Sequence, residues 1–209
     1  PDPAFARQMI AWWGPHGHIV HYPVRREGEL VNFVAHYDSE EWTEESWTHE
    51  CDRSELMEIY ARWNPDLLGL IQSSEKYYKW ALYDRDPLEK WTIGRVTLLG
   101  DSVHPMLPYL GQGACMAIED GCVLAEAIAQ TTNGIELALE NYECARKPRT
   151  TRAQLGSRVR ARQNHLVSPF ARFRRDVRIA WNSRFGADSS AGQAAAFYDY
   201  DVAKDNQFN

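Results

Sequence analysis

The stretch that most constrains this chain is Arg95 to Asp120, RVTLLGDSVHPMLPYLGQGACMAIED. Arg95 to Leu99 is short, β-branched and apolar on both faces, the pattern of a strand buried on both sides of a sheet. It ends at Gly100-Asp101, which sets a short carboxylate at the carboxyl end of the strand, where open α/β sheets take up ligands. Pro105 and Pro108 stiffen the loop that follows. Gly111 and Gly113 let the main chain come close to a ligand, and the helix opening at Gly113 offers unpaired N–H groups and a partial positive charge. A packing helix needs none of these features. Together they make a site for an anionic, flat or oxygen-bearing group.

The remaining elements follow from periodicity and punctuation. Gly17 to Val24 and Glu29 to Tyr37 are β-branched and aromatic runs joined by Arg25-Arg26-Glu27-Gly28, and they read as a hairpin. The polar stretch 38 to 52 has Trp42 and Trp47 as its only anchors. Asp52 with Glu55 resembles a capping box for a helix through Trp63, stopped by Asn64-Pro65. Residues 66 to 73 read as a short helix and Tyr77 to Tyr83 as a third strand. Gly113 to Gln130 is a helix whose small residues Ala114, Ala117, Gly121 and Ala125 let its backbone approach a neighbour. Ile135 to about His165 is helical with Pro148 as a kink or break, Phe170 to Phe185 is helical, and the tail from Gly186 is loose.

Composition narrows the class. With 44% hydrophobic and 25% charged residues, 209 residues bury one substantial core or two small ones, and extended disorder is excluded. A net charge of -6 argues against nucleic acid as a partner. The charge is uneven: Asp38 to Glu58 is acidic apart from Arg53, whereas Arg146 to Arg184 is basic apart from Asp176. Such halves fit docking within or between copies of the chain, so a homodimer is one expectation. Cys51, Cys115, Cys122 and Cys144 form no C-x-x-C pair, which fits reduced thiols in the cytoplasm. No secretory leader is seen, and no apolar run approaches the ~20 residues of a spanning helix, so no membrane partner is expected.

Read as one register, GRVTLLGDSVHPMLPYLGQGACMAIEDG resembles the second flavin-binding motif of the FAD-dependent aromatic monooxygenases, the para-hydroxybenzoate and salicylate hydroxylase family. The resemblance implies that Gly100 and Asp101 meet the ribityl chain of FAD. It implies that Pro108 and the backbone of Gly111, Gln112, Gly113 and Ala114 lie against the isoalloxazine ring, the helix N-terminus facing negative charge on the reduced flavin. Cys115 stands where many members have Asn, a feature of the salicylate-type branch. The upstream hairpin, the DRDPLEKW stretch and the Tyr142-Glu143, Arg146, Arg149 helix also look like the family, so the likeness covers most of residues 14 to 150. The family's G-x-G-x-x-G unit for the ADP half of FAD does not occur here. The chain therefore resembles the carboxyl-terminal portion of such an enzyme, with the N-terminal FAD domain missing.

On the substrate side, extended geometry puts His18, Val20 and Tyr22 on one face of the first run and Ile19 and His21 on the other. Family hydroxylations transfer an electrophilic oxygen, so removing the proton of a substrate hydroxyl raises electron density on the ring. A His, or a His assisted by Tyr, is a natural base. His18 with Tyr22 is preferred because relatives acting on hydroxylated rings place a His and a Tyr there; an aromatic packing pair is the bland alternative. Pro108 is counted with the catalytic residues by the resemblance. His16 and His18 share a face as metal ligands would, but no third ligand has sensible spacing and no metal is assigned. His104 and Tyr109 lie inside the motif, and Met106 and Met116 are packing residues.

These readings combine into an α+β chain, part of an α/β FAD-binding fold. It has an antiparallel or mixed substrate-domain sheet with helices over 1–90, a strand-loop-helix that contacts FAD over 91–133 and C-terminal helices with a loose tail over 134–209. The expected activity is hydroxylation of a small phenolic or hydroxypyridine carboxylic acid with FAD, NAD(P)H and O2. The rival is a catalytically silent module that docks on a separate nucleotide-binding partner.

Overall fold

The computed structural model describes residues 7–24, 30–39, 46, 48–185 and 197–205. The chain is α+β and groups into two compact units, 1–82 with 164–172 and 83–163 with 173–209. The sequence expectation had three segments, divided near 90 and 133.

The first unit holds an antiparallel sheet in the order β1-β2-β3, with β1 Ile10–Gly14, β2 Gly17–Pro23 and β3 Val31–Tyr37. The expected hairpin is β2 and β3. Its turn at 25–29 lies outside the described residues, as do Trp42 and Trp47. β1 was not anticipated. It joins β2 through Pro15-His16, with His16 at φ 61, the positive value a tight two-residue turn demands. Gly17 is required by close approach: a Cβ there would stand 2.6 Å from the His36 carbonyl oxygen on β3. Ile19 on β2 packs with Leu56, Tyr60, Leu67, Leu70, Ile71 and Tyr77 to form the core of this unit. Burying each of the larger aliphatic side chains stabilises the fold by about 1.5–3 kcal/mol.

Helix α1, Arg53–Ile59, starts at Asp52 as expected, but no capping box forms and the helix stops short of Trp63. Glu55 is drawn away from the helix start by Lys79 Nζ at 2.8 Å, with Tyr37 and Cys51 also bonded to it. Asn64-Pro65 begins a helix instead of ending one: Asn64 Oδ1 accepts the Asp66 N–H at 2.8 Å, and Pro65 occupies the first turn of α2, Pro65–Ser73, where a missing N–H does no harm. Tyr77 to Tyr83 is not a strand. Among the described residues it makes one bridge, Tyr78 with Glu50.

In the second unit, β4 Thr92–Ile93 and β5 Val96–Thr97 form a two-stranded hairpin around Gly94, at φ 57. The doubly buried strand expected at Arg95 to Leu99 is thus two residues long, and Val96 is 67% exposed. Burial on both faces needs a packed layer on each face of a sheet, and this two-stranded hairpin leaves Ile93 and Val96 exposed. Helix α3, Gly113–Gln130, has the bounds read from sequence. Its small-residue face is open at Ala114, Gly121 and Ala125, which are exposed, while a Cβ on Gly100 would stand 3.2 Å from the Ala117 Cβ. Helix α4, Ile135–Asn164, runs on through Pro148 without a break. α5 is Pro169–Phe185, and α6, Val202–Asp205, lies in the tail expected to be loose. Tyr198 in that tail donates to the Leu110 carbonyl at 2.8 Å. Trp91, Val103, Val123, Ala127 and Tyr142 form the second core. Among the described residues, no helix is long and apolar enough to cross a membrane.

Candidate functional site

The loop between β5 and α3 is built from two single-turn 3-10 helices, Gly100–Ser102 and Pro108–Leu110. Gly100 has φ 62 and Gly111 has φ 63, a left-handed backbone that disfavours any side chain. The first turn is locked by Ser102, whose hydroxyl donates to the Leu99 carbonyl at 2.7 Å and accepts the Leu99 N–H. Arg85 donates to the Ser102 carbonyl from outside. The Pro108 carbonyl accepts the Gly111 N–H at 2.9 Å, which closes the second turn. Gln112 is buried and its carbonyl accepts the Met116 N–H, so the N–H groups of Gly113, Ala114 and Cys115 have no acceptor within α3. Asp101, Ala114 and Cys115 are exposed, and a Cβ built on Gly111 meets nothing within 4 Å.

Behind this loop lies a buried ionic hub that the sequence reading missed. Asp120, fully buried on α3, accepts the Gly100 N–H at 3.1 Å and bonds His104 Nε2 at 2.6 Å and Arg146 Nε at 2.7 Å. Burial works to raise the Asp120 carboxyl, but hydrogen bonds from His104 and Arg146 prevail and hold it below the ordinary carboxylate range. Glu119 continues the network, with Arg146 Nη2 at 2.7 Å and a two-pronged pair to Arg149 at 2.8 Å. Arg149 also lies over Tyr200, 3.8 Å from the ring centroid. The sequence did hold a signal: Met116, Asp120, Val123 and Ala127 share the buried stripe of α3, and an Asp on such a stripe must be paired.

The loop fits a flavin. Its carboxylate at Asp101 suits polyol hydroxyls, the free helix amides suit a negatively charged edge, and the space beside Gly111 admits a flat ring. The structure gathers Gly100, Asp101, Pro108, Gly111, Gln112, Gly113 and Ala114 into this one segment, whereas His18 and Tyr22 belong to the other unit.

His18 and Tyr22 have different surroundings. Tyr22 is half-buried and its hydroxyl accepts from Asn32 at 2.7 Å. His18 is 2% exposed and its Nδ1 lies 2.7 Å from His165 Nε2, while His165 Nδ1 lies 2.6 Å from Asp38 Oδ1. His36, the cross-strand partner of His18, stacks on it at 4.4 Å. Burial, then the neighbouring imidazoles, lower His18 to about 3; burial and His165 lower His36 to about 4. Both are therefore neutral near pH 7. No motif pointed to His165, because its partner Asp38 is 127 residues away. Among the described residues no cluster of His, Cys, Asp or Glu is arranged to hold a metal. An open groove of about 920 Å³ in the first unit is lined by Glu50, Asp52, Glu55, Glu58 and Glu75 together with Arg53 and Lys76.

Comparison with known proteins agrees with the loop chemistry. The family described as "FAD binding domain" matches residues 9–156. A 3-amino-4-hydroxybenzoate 2-monooxygenase of Streptomyces platensis is 42% identical over 159 residues, 76% of this chain and 40% of that protein. A 3-hydroxybenzoate 6-hydroxylase of Polaromonas naphthalenivorans is 38% identical over 174 residues, 83% of this chain and 42% of that protein. A salicylate hydroxylase solved with its substrate superposes with a TM-score of 0.71 at 25% identity, covering 91% of this chain and 49% of that one. The chain thus spans less than half the length of each. Motif, fold and sequence likeness converge: this chain belongs to the FAD binding domain family of the FAD-dependent aromatic monooxygenases.

Proposed function

We propose that the chain is part of a monooxygenase that hydroxylates a small phenolic or hydroxypyridine carboxylic acid, using FAD, NAD(P)H and O2, in the cytoplasm. The observation that carries this reading is the loop from Gly100 to Ala114, pinned from behind by Asp120 and open in front. Asp101 would hold the ribityl hydroxyls, the amides of Gly113 and Ala114 would face the negative edge of the ring, and Gly100, Pro108, Gly111 and Gln112 would shape the surface beneath it. Bound there, FAD supplies the redox and oxygen-transfer chemistry that no side chain of this chain provides. His18 would accept the proton of the substrate hydroxyl, with Tyr22 further along the same strand face. The free thiols of Cys51, Cys115, Cys122 and Cys144 agree with a reducing compartment.

The test is a titration of the intact protein with FAD, followed by NAD(P)H oxidation with and without 3-hydroxybenzoate. Tight, yellow, substrate-stimulated protein is expected, with Asp101→Ala weakening FAD. An intact protein that takes up no FAD ends the reading. A second reading, a silent module that docks on a nucleotide-binding partner, draws on the exposure of Ile93, Val96 and Ile118. A colourless, monodisperse intact protein would favour it.

A further inference from the structure

The tail that composition marks as loose is tied down beside the loop of the second unit. Arg149 on α4 is its main anchor. The guanidinium donates to the Phe197 carbonyl at 3.1 Å and lies over the Tyr200 ring, 3.8 Å from its centroid. Glu119 on α3 holds the same guanidinium through two bonds of 2.8 Å, so its direction is fixed before it meets the tail. Further along, Val202 packs against the second core, and the Asp201 carboxylate accepts the Ala203 N–H at 3.0 Å. Tyr198, between Phe197 and Tyr200, is exposed, and its hydroxyl donates to the Leu110 carbonyl at 2.8 Å.

Leu110 closes the 3-10 turn Pro108–Leu110, just ahead of the left-handed Gly111. A Cβ on Gly156 of α4 would stand 3.1 Å from Leu110 Cδ1 and 3.9 Å from Phe197 Cζ, so the missing side chain there makes room for both. We propose that Phe197, Tyr198 and Tyr200 form a strap that fixes the turn from Pro108 to Gly111 as a seat for the flavin, with Tyr198 as the positioning residue. This role rests on the reading of that turn as part of the surface beneath the flavin ring, and it adds what holds the surface in place.

The turn gains from support outside itself. A single 3-10 turn has few internal hydrogen bonds of poor geometry, here the Gly111 N–H to the Pro108 carbonyl at 2.9 Å. The Tyr198 bond adds a hold on the neighbouring carbonyl. Asp120 grips the first turn of the loop through the Gly100 N–H, and Glu119, the residue before it on α3, grips Arg149 and so the strap over the second turn. Both turns are thereby referred to adjacent residues of one helix. If the strap favours the form of the turn that binds FAD, FAD must favour the strap in return, because coupling between two equilibria is reciprocal.

The experiment compares the intact wild-type protein with Tyr198→Phe, which removes the hydroxyl alone, and Tyr200→Leu, which removes the ring beside Arg149. In flavin-free protein the Gly111 N–H is expected to exchange with deuterium about fivefold faster in both variants, the effect of one hydrogen bond of ordinary net worth, and FAD should bind up to about fivefold more weakly. In wild-type protein FAD should slow chymotrypsin cleavage at Phe197 to Tyr200, and Tyr198→Phe should lessen that protection, a linkage that a merely structural tail would not show. Unchanged exchange at Gly111 in both variants overturns the strap. Faster exchange with FAD affinity equal to wild type, or cleavage indifferent to FAD, overturns its link to the flavin. A wild-type protein that takes up no FAD overturns the flavin reading beneath it, a result separate from the exchange measurement.

Discussion

The two units each bury a polar cluster, and the clusters are opposites. In the second unit Asp120 is charged, fully buried and held by His104, Arg146 and the Gly100 N–H. In the first unit His18 is buried and His36 half-buried, both neutral near pH 7, and the carboxylate that reaches His18 through His165, Asp38, is at the surface. A buried charge with its counter-charge is stiff, because any rearrangement leaves an ion unpaired in a poor dielectric. A row of neutral imidazoles holds no ion to strand, so a rearrangement there costs hydrogen bonds alone. The first arrangement holds the loop behind Gly100 still, and the second leaves its surroundings freer to adjust.

The largest test of that contrast is stability. Asp120→Asn takes the buried carboxylate from Arg146 Nε, His104 and the Gly100 N–H while Arg146 keeps Glu119, so the loss should sit near the lower end of the about 3–5 kcal/mol for removing one member of a buried ion pair. His165→Gln removes hydrogen bonds between neutral or exposed groups and should lose only about 1 kcal/mol. Urea denaturation of both variants decides it. Equal losses would mean that the imidazole cluster is as rigid as the ionic hub.

Acid separates the two regions next. Folded His18 and His36 take up protons only near pH 3 and pH 4, whereas the unfolded histidines do so near 6.5. As pH falls below 6.5 the unfolded state binds more protons, so stability declines, by at most about 1.4 kcal/mol per pH unit for each group. The depressed Asp120 carboxyl works in a lower window. Its contribution is complete above the ordinary carboxylate value near 4 and is lost as pH falls further, through its folded value. A urea midpoint series from pH 7.5 to 3 should show two limbs, the upper one flattened by His36→Gln and the lower one by Asp120→Asn. A midpoint constant from pH 7 to 4.5 would remove the neutral-imidazole description.

The sequence disclosed the parts of this contrast unequally. The loop and α3 were legible because glycines, prolines and a 3.6-residue stripe are local signals, and the β2–β3 hairpin was legible from alternation. Tyr77 to Tyr83 alternates as well, yet alternation records a pleated face and says nothing about a partner edge; Tyr77 instead turns its hydroxyl to the Ser74 carbonyl at 2.9 Å. Glu55 looked like half of a capping box, but Lys79, 24 residues away, competes for it. The same limit hid His165, whose meaning depends on Asp38 in a distant part of the chain. Asp120 was the exception: its place on an apolar stripe was visible, and its partner Arg146 lay in a helix already marked as resembling the family.

The smallest effect distinguishes the pinned back of the loop from its open front. Gly100 and Gly111 have nearly the same positive φ, so alanine brings a similar backbone strain of about 1–2 kcal/mol at either position. Their surroundings differ. A Cβ on Gly100 stands 3.2 Å from the Ala117 Cβ, on the same helix as the Asp120 that holds the Gly100 N–H, whereas a Cβ on Gly111 meets no protein atom within 4 Å. Gly100→Ala should therefore be the less stable variant, through crowding against α3 and a weakened bond to Asp120. Gly111→Ala should show the strain alone in urea melts, and its larger consequence should be weaker FAD binding by the intact protein, because the added methyl enters the space assigned to the ring. If Gly111→Ala binds FAD with unchanged affinity, the open side of the loop is not where the flavin lies, and the stiffness supplied by Asp120 serves the fold instead of the cofactor.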